Sequence, residues 1–419
     1  MPAKRYFTPR VYFEELAPSK TPEFRTGIPA FLGFRQLDPD KNARLHVLTR
    51  WAQFDEKLGH DPGEGFLRHA VRGFFENGGE RCIVIELQRD DAEPWVKGGL
   101  WVRERLLLGF KVLEELRELG KSLDELPEDE EALVKELIED VDLICVPDLP
   151  LDESRIGLQL DVLEYCERKF NCFAILDSNR LRTLERMGDI KNVLKQWRDL
   201  YTTWGSLLKN AALYYPWVRV PDGPASTGGF VPPCGHIAGV YARVDARIGV
   251  HKAPANEILE GVVDLERQLK DDDQSLLNEV GVNCLRAFPG RGIRVWGART
   301  LSARPEWRYV SVRRLFTTLV RWIDRTCRDL VFEAYTPALW EAIRGRLNSY
   351  CYTLFQNGAL KGQTPEEAFY VKCDAETNPL EEREAGRVIS EVGLAPVIPA
   401  EFIVVRITHS AATTTFIGP

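Results

Sequence analysis

Val231-Pro232-Pro233-Cys234-Gly235-His236-Ile237-Ala238-Gly239-Val240-Tyr241-Ala242-Arg243-Val244-Asp245 is the run around which the rest of the chain is organised. The Pro-Pro pair stops whatever element precedes it. The glycines and alanines after it leave room for two backbones to approach closely. A second run, Gly281-Val282-Asn283-Cys284-Leu285-Arg286, leads on to Val295-Trp296-Gly297-Ala298-Arg299-Thr300-Leu301 and Trp307-Arg308-Tyr309-Val310-Ser311-Val312-Arg313-Arg314. Between the two lies Gly249-Val250-His251-Lys252-Ala253-Pro254-Ala255-Asn256. No catalytic constellation is visible in these runs. They read as a packing core.

Upstream of that core, strands and helices alternate. Ile28 to Phe34 opens a globular body, and Arg81 to Leu87, Val141 to Pro147, Cys172 to Asp177 and Asn210 to Trp217 are apolar runs of strand length. Helices are expected over 61–79, 101–139 and 157–169, with a further one ending near 200–208. In the second of these, Leu106, Phe110, Leu113 and Leu116 form a stripe at helical spacing. Strands that are nearly all apolar, separated by helices, predict a covered and largely parallel sheet. Glu128-Asp129-Glu130-Glu131 reads as a helix start rather than a metal site.

Pro221 to Phe230 is rich in glycine and proline, which places a domain boundary there. Beyond it, helices are expected over 256–270, within 307–330 and over 336–357, and strands over 369–374 and 401–407. The first of these helices would turn Ile258, Leu259, Val262, Val263, Leu265 and Leu269 inward. The fold class is therefore α/β and α+β: an outer α/β domain over 24–220, an inner core domain over 221–399, and extended arms at 1–23 and 400–419. Tyr6 to Leu16 is β-prone, broken by Pro9, and too short to bury itself. It is either the first strand of the chain's own sheet or a strand donated to a neighbouring copy.

A chain of 419 residues can bury roughly 70–75% of its unfolded surface. Its formal net charge of -8 argues against a chain-wide nucleic-acid footprint. The nine cysteines include no Cys-x-x-Cys and read as reduced, buried thiols, consistent with cytoplasmic synthesis. The first residues lead into no apolar segment of the secretory kind, and no run is apolar and long enough for a membrane span. The six histidines are scattered without i, i+4 pairing, so no metal site is expected. The glycines of 223–229 lack the Gly-Lys-Ser/Thr ending of a phosphate loop. Asp148 and Asp177 lie after parallel strands, where α/β enzymes build sites, but the alternative is a capping role. Arg299, Arg308, Arg313 and Arg314 lie among Trp296, Trp307 and Tyr309, a pattern read as cation–π and ion-pair packing rather than nucleic-acid binding.

The motifs share an order with a known family. Pro-Pro-Cys-Gly-His-Ile-Ala-Gly, Lys252-Ala253-Pro254-Ala255-Asn256, Gly281-Val282-Asn283, Trp296-Gly297-Ala298-Arg299-Thr300-Leu301, Arg313-Arg314-Leu315, Asn357-Gly358-Ala359-Leu360-Lys361-Gly362 and Pro399-Ala400-Glu401-Phe402-Ile403 resemble the tail sheath proteins of contractile phage tails and contractile injection systems. The likeness runs from about 210 to 407, and 24–210 matches in outline only. It implies a structural subunit, not an enzyme, without cofactor or metal. Its partners would be copies of itself in stacked hexameric rings, an inner tube protein, and baseplate and cap proteins, with no nucleic acid and no membrane insertion. Assembly would take place in a phage tail or tail-like particle, kept in the cytoplasm or released.

The resemblance also assigns inter-subunit strands to Arg10, Val11, Tyr12, Phe13 and Glu14 at one end. At the other end it assigns one to Phe402, Ile403, Val404, Val405, Arg406 and Ile407. Tube-facing candidates are Glu257, Glu260 and Arg267 on the first inner helix, or Arg344 and Arg346 on the third. The other readings are a baseplate- or terminator-proximal ring protein and a soluble α/β enzyme using Asp148 and Asp177.

Overall fold

The computed structural model describes residues 24–37, 42–59, 65–89, 99–119, 128–152, 154–169, 172–179, 204–401, 406–409 and 414–417. In chain order its elements begin with β1 (Ile28–Arg35), β2 (Ala43–Leu48), α1 (Ala52–Leu58), α2 (Leu67–Glu76), β3 (Cys82–Gln88), α3 (Gly99–Leu119), α4 (Glu128–Ile138) and β4 (Val141–Cys145). Next come α5 (Ser154–Lys169), β5 (Phe173–Asp177), β6 (Ala211–Tyr215), β7 (Val218–Arg219), β8 (Phe230–Val231), α6 (Cys234–Arg247), β9 (Asp264–Leu265), α7 (Asp271–Glu279), β10 (Val282–Phe288) and β11 (Gly292–Trp296). The chain closes with α8 (Val310–Cys327), α9 (Pro337–Gln356), α10 (Pro365–Ala368), β12 (Phe369–Lys372), α11 (Leu380–Glu384), β13 (Glu391–Leu394), β14 (Arg406–His409) and β15 (Thr414–Ile417).

Eight strands form one sheet in the order β11-β10-β6-β5-β4-β1-β3-β2. The six inner strands run parallel, and β2 and β11 run antiparallel at the two edges. The strands read as unmixed apolar runs because both faces are covered. In β1, Ala30, Leu32 and Phe34 face one core with Phe110 of α3 and Val162 of α5, while Phe31 faces the other with Phe74 of α2 and Tyr241 of α6. The α3 stripe of Leu106, Phe110, Leu113 and Leu116 is buried as its spacing predicts.

The organising run is helix α6, and its glycines are contact points. A Cβ at Gly235 would lie 2.0 Å from the Ala70 carbonyl oxygen, and one at Gly239 would lie 2.4 Å from that of Phe74. Helices α2 and α6 therefore meet backbone to backbone on one face of the sheet.

Three expectations are corrected. The helix placed over 61–79 starts only at Leu67, because Gly65 and Phe66 form the turn into it; 61–64 lie outside the described residues. No helix forms over 256–270. Its backbone bonds to the edge strand β11 instead, with Asn256 N–H donating to the Val295 carbonyl at 2.7 Å and Leu259 N–H to that of Ile293 at 2.9 Å. Asn256 and Gly261 take positive φ values of 60° and 75°, which a helix excludes. Covering a sheet edge outweighs the helical spacing of the apolar residues. Finally, the sheet does not end at 220. Residues 220–229 connect the paired strands β7 and β8, and β10 and β11 return to the main sheet beside β6.

The C-terminal region is α+β. Helix α8 joins it to the sheet: Val310 packs in the core on the α2/α6 face, while Leu315 belongs to a separate cluster with Leu354, Ala359 and Leu360. Strands β12 and β13 pair antiparallel in a sheet of their own, as do β14 and β15. The expected strands at Arg10–Glu14 and Phe402–Val405, and the helix expected near 200, lie wholly or mostly outside the described residues. Arg406 and Ile407 open β14.

Candidate assembly site

The two aspartates that could have marked an enzyme are used as caps. The Asp148 carboxylate accepts N–H bonds from Phe34 at 3.1 Å and from Phe66 at the start of α2. The Asp177 carboxylate accepts the N–H of Cys234, the first residue of α6, at 2.8 Å, and the Asp177 carbonyl accepts from Gln159 at 2.9 Å. Burial pushes both carboxyls up to about 6, against the opposing pull of backbone N–H groups on Asp148 and of Arg155 on Asp177. Each fixes a helix start to a strand end, and the thiol beside them, Cys234 next to Asp177, is held protonated by its burial and by the neighbouring carboxylate. Among the described residues no cluster of His, Cys, Asp or Glu could hold a metal ion.

His236 is buried against α2, where a Cβ on Gly73 would lie 2.5 Å from its ring. Burial pushes its pKa down to about 4, with nearby His69 and Arg72 adding in the same direction. A neutral folded histidine contributes stability above pH 6.5 that is lost as pH falls through about 4. Asp148 and Asp177 run the other way, since their contribution is full below 3.8 and lost as pH rises through about 6. The stability cost of His236→Gln should therefore shrink by about 2 kcal/mol between about pH 7 and pH 5. Urea unfolding at the two pH values checks this, and an unchanged cost would contradict it.

A buried ion cluster joins α8 to the rest of the fold. Arg314 donates to Asp245 of α6 at 2.9 and 2.6 Å and to Asp142 of β4 at 2.9 Å, with its guanidinium 5.0 Å from the Tyr241 ring. Burial opposes the Arg314 charge, but the carboxylates of Asp245 and Asp142 outweigh it and hold the guanidinium charged. The preceding residue, Arg313, donates to Asn210 at 3.0 and 2.7 Å and lies 5.5 Å from the Trp307 ring. Arg299 pairs with Glu401. Arg299, Arg313 and Arg314 of the basic and aromatic cluster are thus engaged in internal packing. Sequence reasoning missed Asp142 and Asp245. The available signal was an aspartate inside the apolar run Val141-Asp142-Leu143-Ile144, which a buried strand tolerates only with a cationic partner.

The outer surfaces differ from this. Strands β12 and β13, four residues each, bond to one another and to no third strand among the described residues. Around them Tyr370, Ile389, Val397 and Ile398 are exposed. The structure does not bring the five tube-facing candidates together on one helix. Glu257 is ion-paired with Arg247 and Arg243, the Glu260 backbone is held by Asn77, and Arg267 lies 4.0 Å from Asp273, all off any helix. Arg344 and Arg346 do share α9, where they pair with Glu341 and Asp329.

Residues 130–301 match the central domain of phage tail sheath proteins, and residues 302–410 match the phage tail sheath C-terminal domain. The chain belongs to the phage tail sheath family. A tail sheath protein of Burkholderia phage BcepMu is 31% identical over 190 residues, 42% of this sheath chain and 38% of that protein. A putative prophage major tail sheath protein of Pseudomonas aeruginosa (strain UCBPP-PA14) is 27% identical over 198 residues, 44% of this chain and 48% of that one. The matched stretch thus spans less than half of these curated relatives. The solved structures match more fully. The contracted sheath complex of an extracellular contractile injection system, PVC, is 27% identical with a TM-score of 0.70, covering 98% of this chain and 99% of that one. The contracted helical sheath of the anti-feeding prophage is 29% identical with a TM-score of 0.66, covering 97% and 100%. These relatives are structural proteins rather than enzymes.

Proposed function

We propose that this chain is a structural sheath subunit that polymerises as stacked rings around an inner tube and contracts to drive that tube through a target envelope. The observation that carries the reading is the end-to-end likeness to the contracted sheath of an extracellular contractile injection system, 98% of one chain on 99% of the other. The geometry agrees with it. A lone two-stranded sheet such as β12–β13 is marginal in water and gains stability from added strands. Segments 10–14 and 402–407 of neighbouring copies are the strands we assign to it. Contacts of that kind are heterologous, and with a rise per subunit they build an open helix.

On this reading copies of the chain are its main partners, with an inner tube protein, baseplate and cap proteins completing the particle. The tube contact falls to α9, where Arg344 and Arg346 lie, since 256–270 is extended. Synthesis is cytoplasmic, and the particle is a phage tail or tail-like injection device. Negative-stain microscopy of the protein co-expressed with its operon neighbours tests this. Long hollow tubes are expected. Single rings would favour the terminator-like reading, and small soluble oligomers alone would overturn the sheath assignment.

A further inference from the structure

Residues 24–28, which lead from the N-terminal arm into β1, are gripped from three elements at once. From α8, Arg321 donates to the Arg25 carbonyl at 3.1 Å and holds its guanidinium 5.0 Å from the Phe24 ring. From β4, the Asp142 carboxylate accepts the N–H of Gly27 at 3.1 Å and of Ile28 at 2.8 Å. Gly27 turns the chain at φ 73° against α6, where a Cβ would lie 2.7 Å from Ala242 Cα. The same Asp142 is bound by Arg314, and Arg321 also donates to the Asp140 carbonyl at 2.8 Å. Arg314, Arg321, Asp140 and Asp142 are all buried. Arg321 Nη2 donates to the carbonyls of Arg25 and Asp140 while Nη1 lies 3.8 Å from the Asp142 carboxylate, so one rigid, planar guanidinium spans residues 24–28 and β4.

We propose that this cluster is an outlet clamp: it fixes where and in which direction the N-terminal arm leaves the subunit, in a set geometry relative to α8 and the C-terminal region that α8 carries. The inference rests on the arm reading above and names its positioning residues, Arg321 and Asp142, with Gly27 as the turn they require. Tension on the arm then passes to α8, α6 and β4 before it reaches the central strand β1. Arm and acceptor sheet, which must meet in register on different copies, are thereby held on one rigid frame.

The test uses the full-length chain carrying Arg321→Met, Arg321→Lys or Gly27→Ala, followed by hydrogen–deuterium exchange and by electron microscopy of assembled tubes. The clamp predicts that amide exchange at residues 24–28 speeds up by roughly tenfold or more in Arg321→Met while β5 and β6 exchange as before. It also predicts that tubes become short or irregular. Arg321→Lys, a point charge without the planar guanidinium that spans both walls, should recover only part of the protection. A merely structural arginine would raise exchange across the whole sheet alike, and that result, or unchanged exchange at 24–28, overturns the proposal. If Arg321→Met does not fold, Gly27→Ala decides, because it opens the turn without removing a buried charge: faster exchange confined to 24–28 supports the clamp and none refutes it. Normal tubes from a chain lacking residues 1–16 would sink the arm reading alone, since the exchange result is read on the unassembled subunit.

Discussion

A chain lacking residues 1–16 should fold, with the secondary structure and urea midpoint of the full-length subunit, and should fail to form long tubes. The reasons are local. Among the described residues both cores are built from side chains at or beyond Ile28, and the deletion touches none of these. The clamp at 24–28 is untouched as well. What is lost is the run Arg10-Val11-Tyr12-Phe13-Glu14, whose β-prone residues we assign to a neighbour's sheet. Every copy lacks the strand its neighbour needs, so the defect is repeated at each lattice point. Sedimentation should show a shift from fast tubes to slow subunits. Tubes of normal length and number from the truncated chain would refute the role of the arm.

The second large effect is expected at Arg314. Its side chain is 2% exposed and is shared by Asp142 and Asp245. Arg314→Met leaves the buried Asp245 without its cation and Asp142 with only the more distant Arg321 at 3.8 Å, a change that costs about 3–5 kcal/mol. Replacing all three, with Asp142→Asn and Asp245→Asn added, should recover much of that loss, because the cost lies in the orphaned charges rather than in the missing attraction. Urea unfolding of the single and triple variants measures both. A single variant within about 1 kcal/mol of the parent would show that the cluster is not closed in solution.

The sheet was legible because its inner strands are buried on both faces, and Cys82 to Leu87 or Val141 to Cys145 can then be little else. The caps at Asp148 and Asp177 were legible as one of two readings, and the choice needed the N–H groups of Phe66 and Cys234, which lie far away in sequence. Segment 256–270 misled because its apolar spacing fits a helix, whereas the deciding partner, β11, lies some thirty residues on. The extent of the sheet beyond 220 was hidden for a related reason. Composition shows that 221–229 is a loop, but not that β10 returns to pair with β6. Strand β13 went unnoticed because Glu391-Val392-Gly393-Leu394 is short and carries a glycine. The ion cluster was half legible, since Asp142 stands out in an apolar strand while its partners lie on two other elements.

The most direct measurement is a cryo-EM map of the assembled particle, resolved well enough to trace single chains through β12 and β13. The account predicts that each β12–β13 sheet is extended by strands from other copies, segment 10–14 from one and segment 402–407 from another. A map in which both ends of every chain fold back onto their own subunit, with no strand pairing between copies, would contradict it.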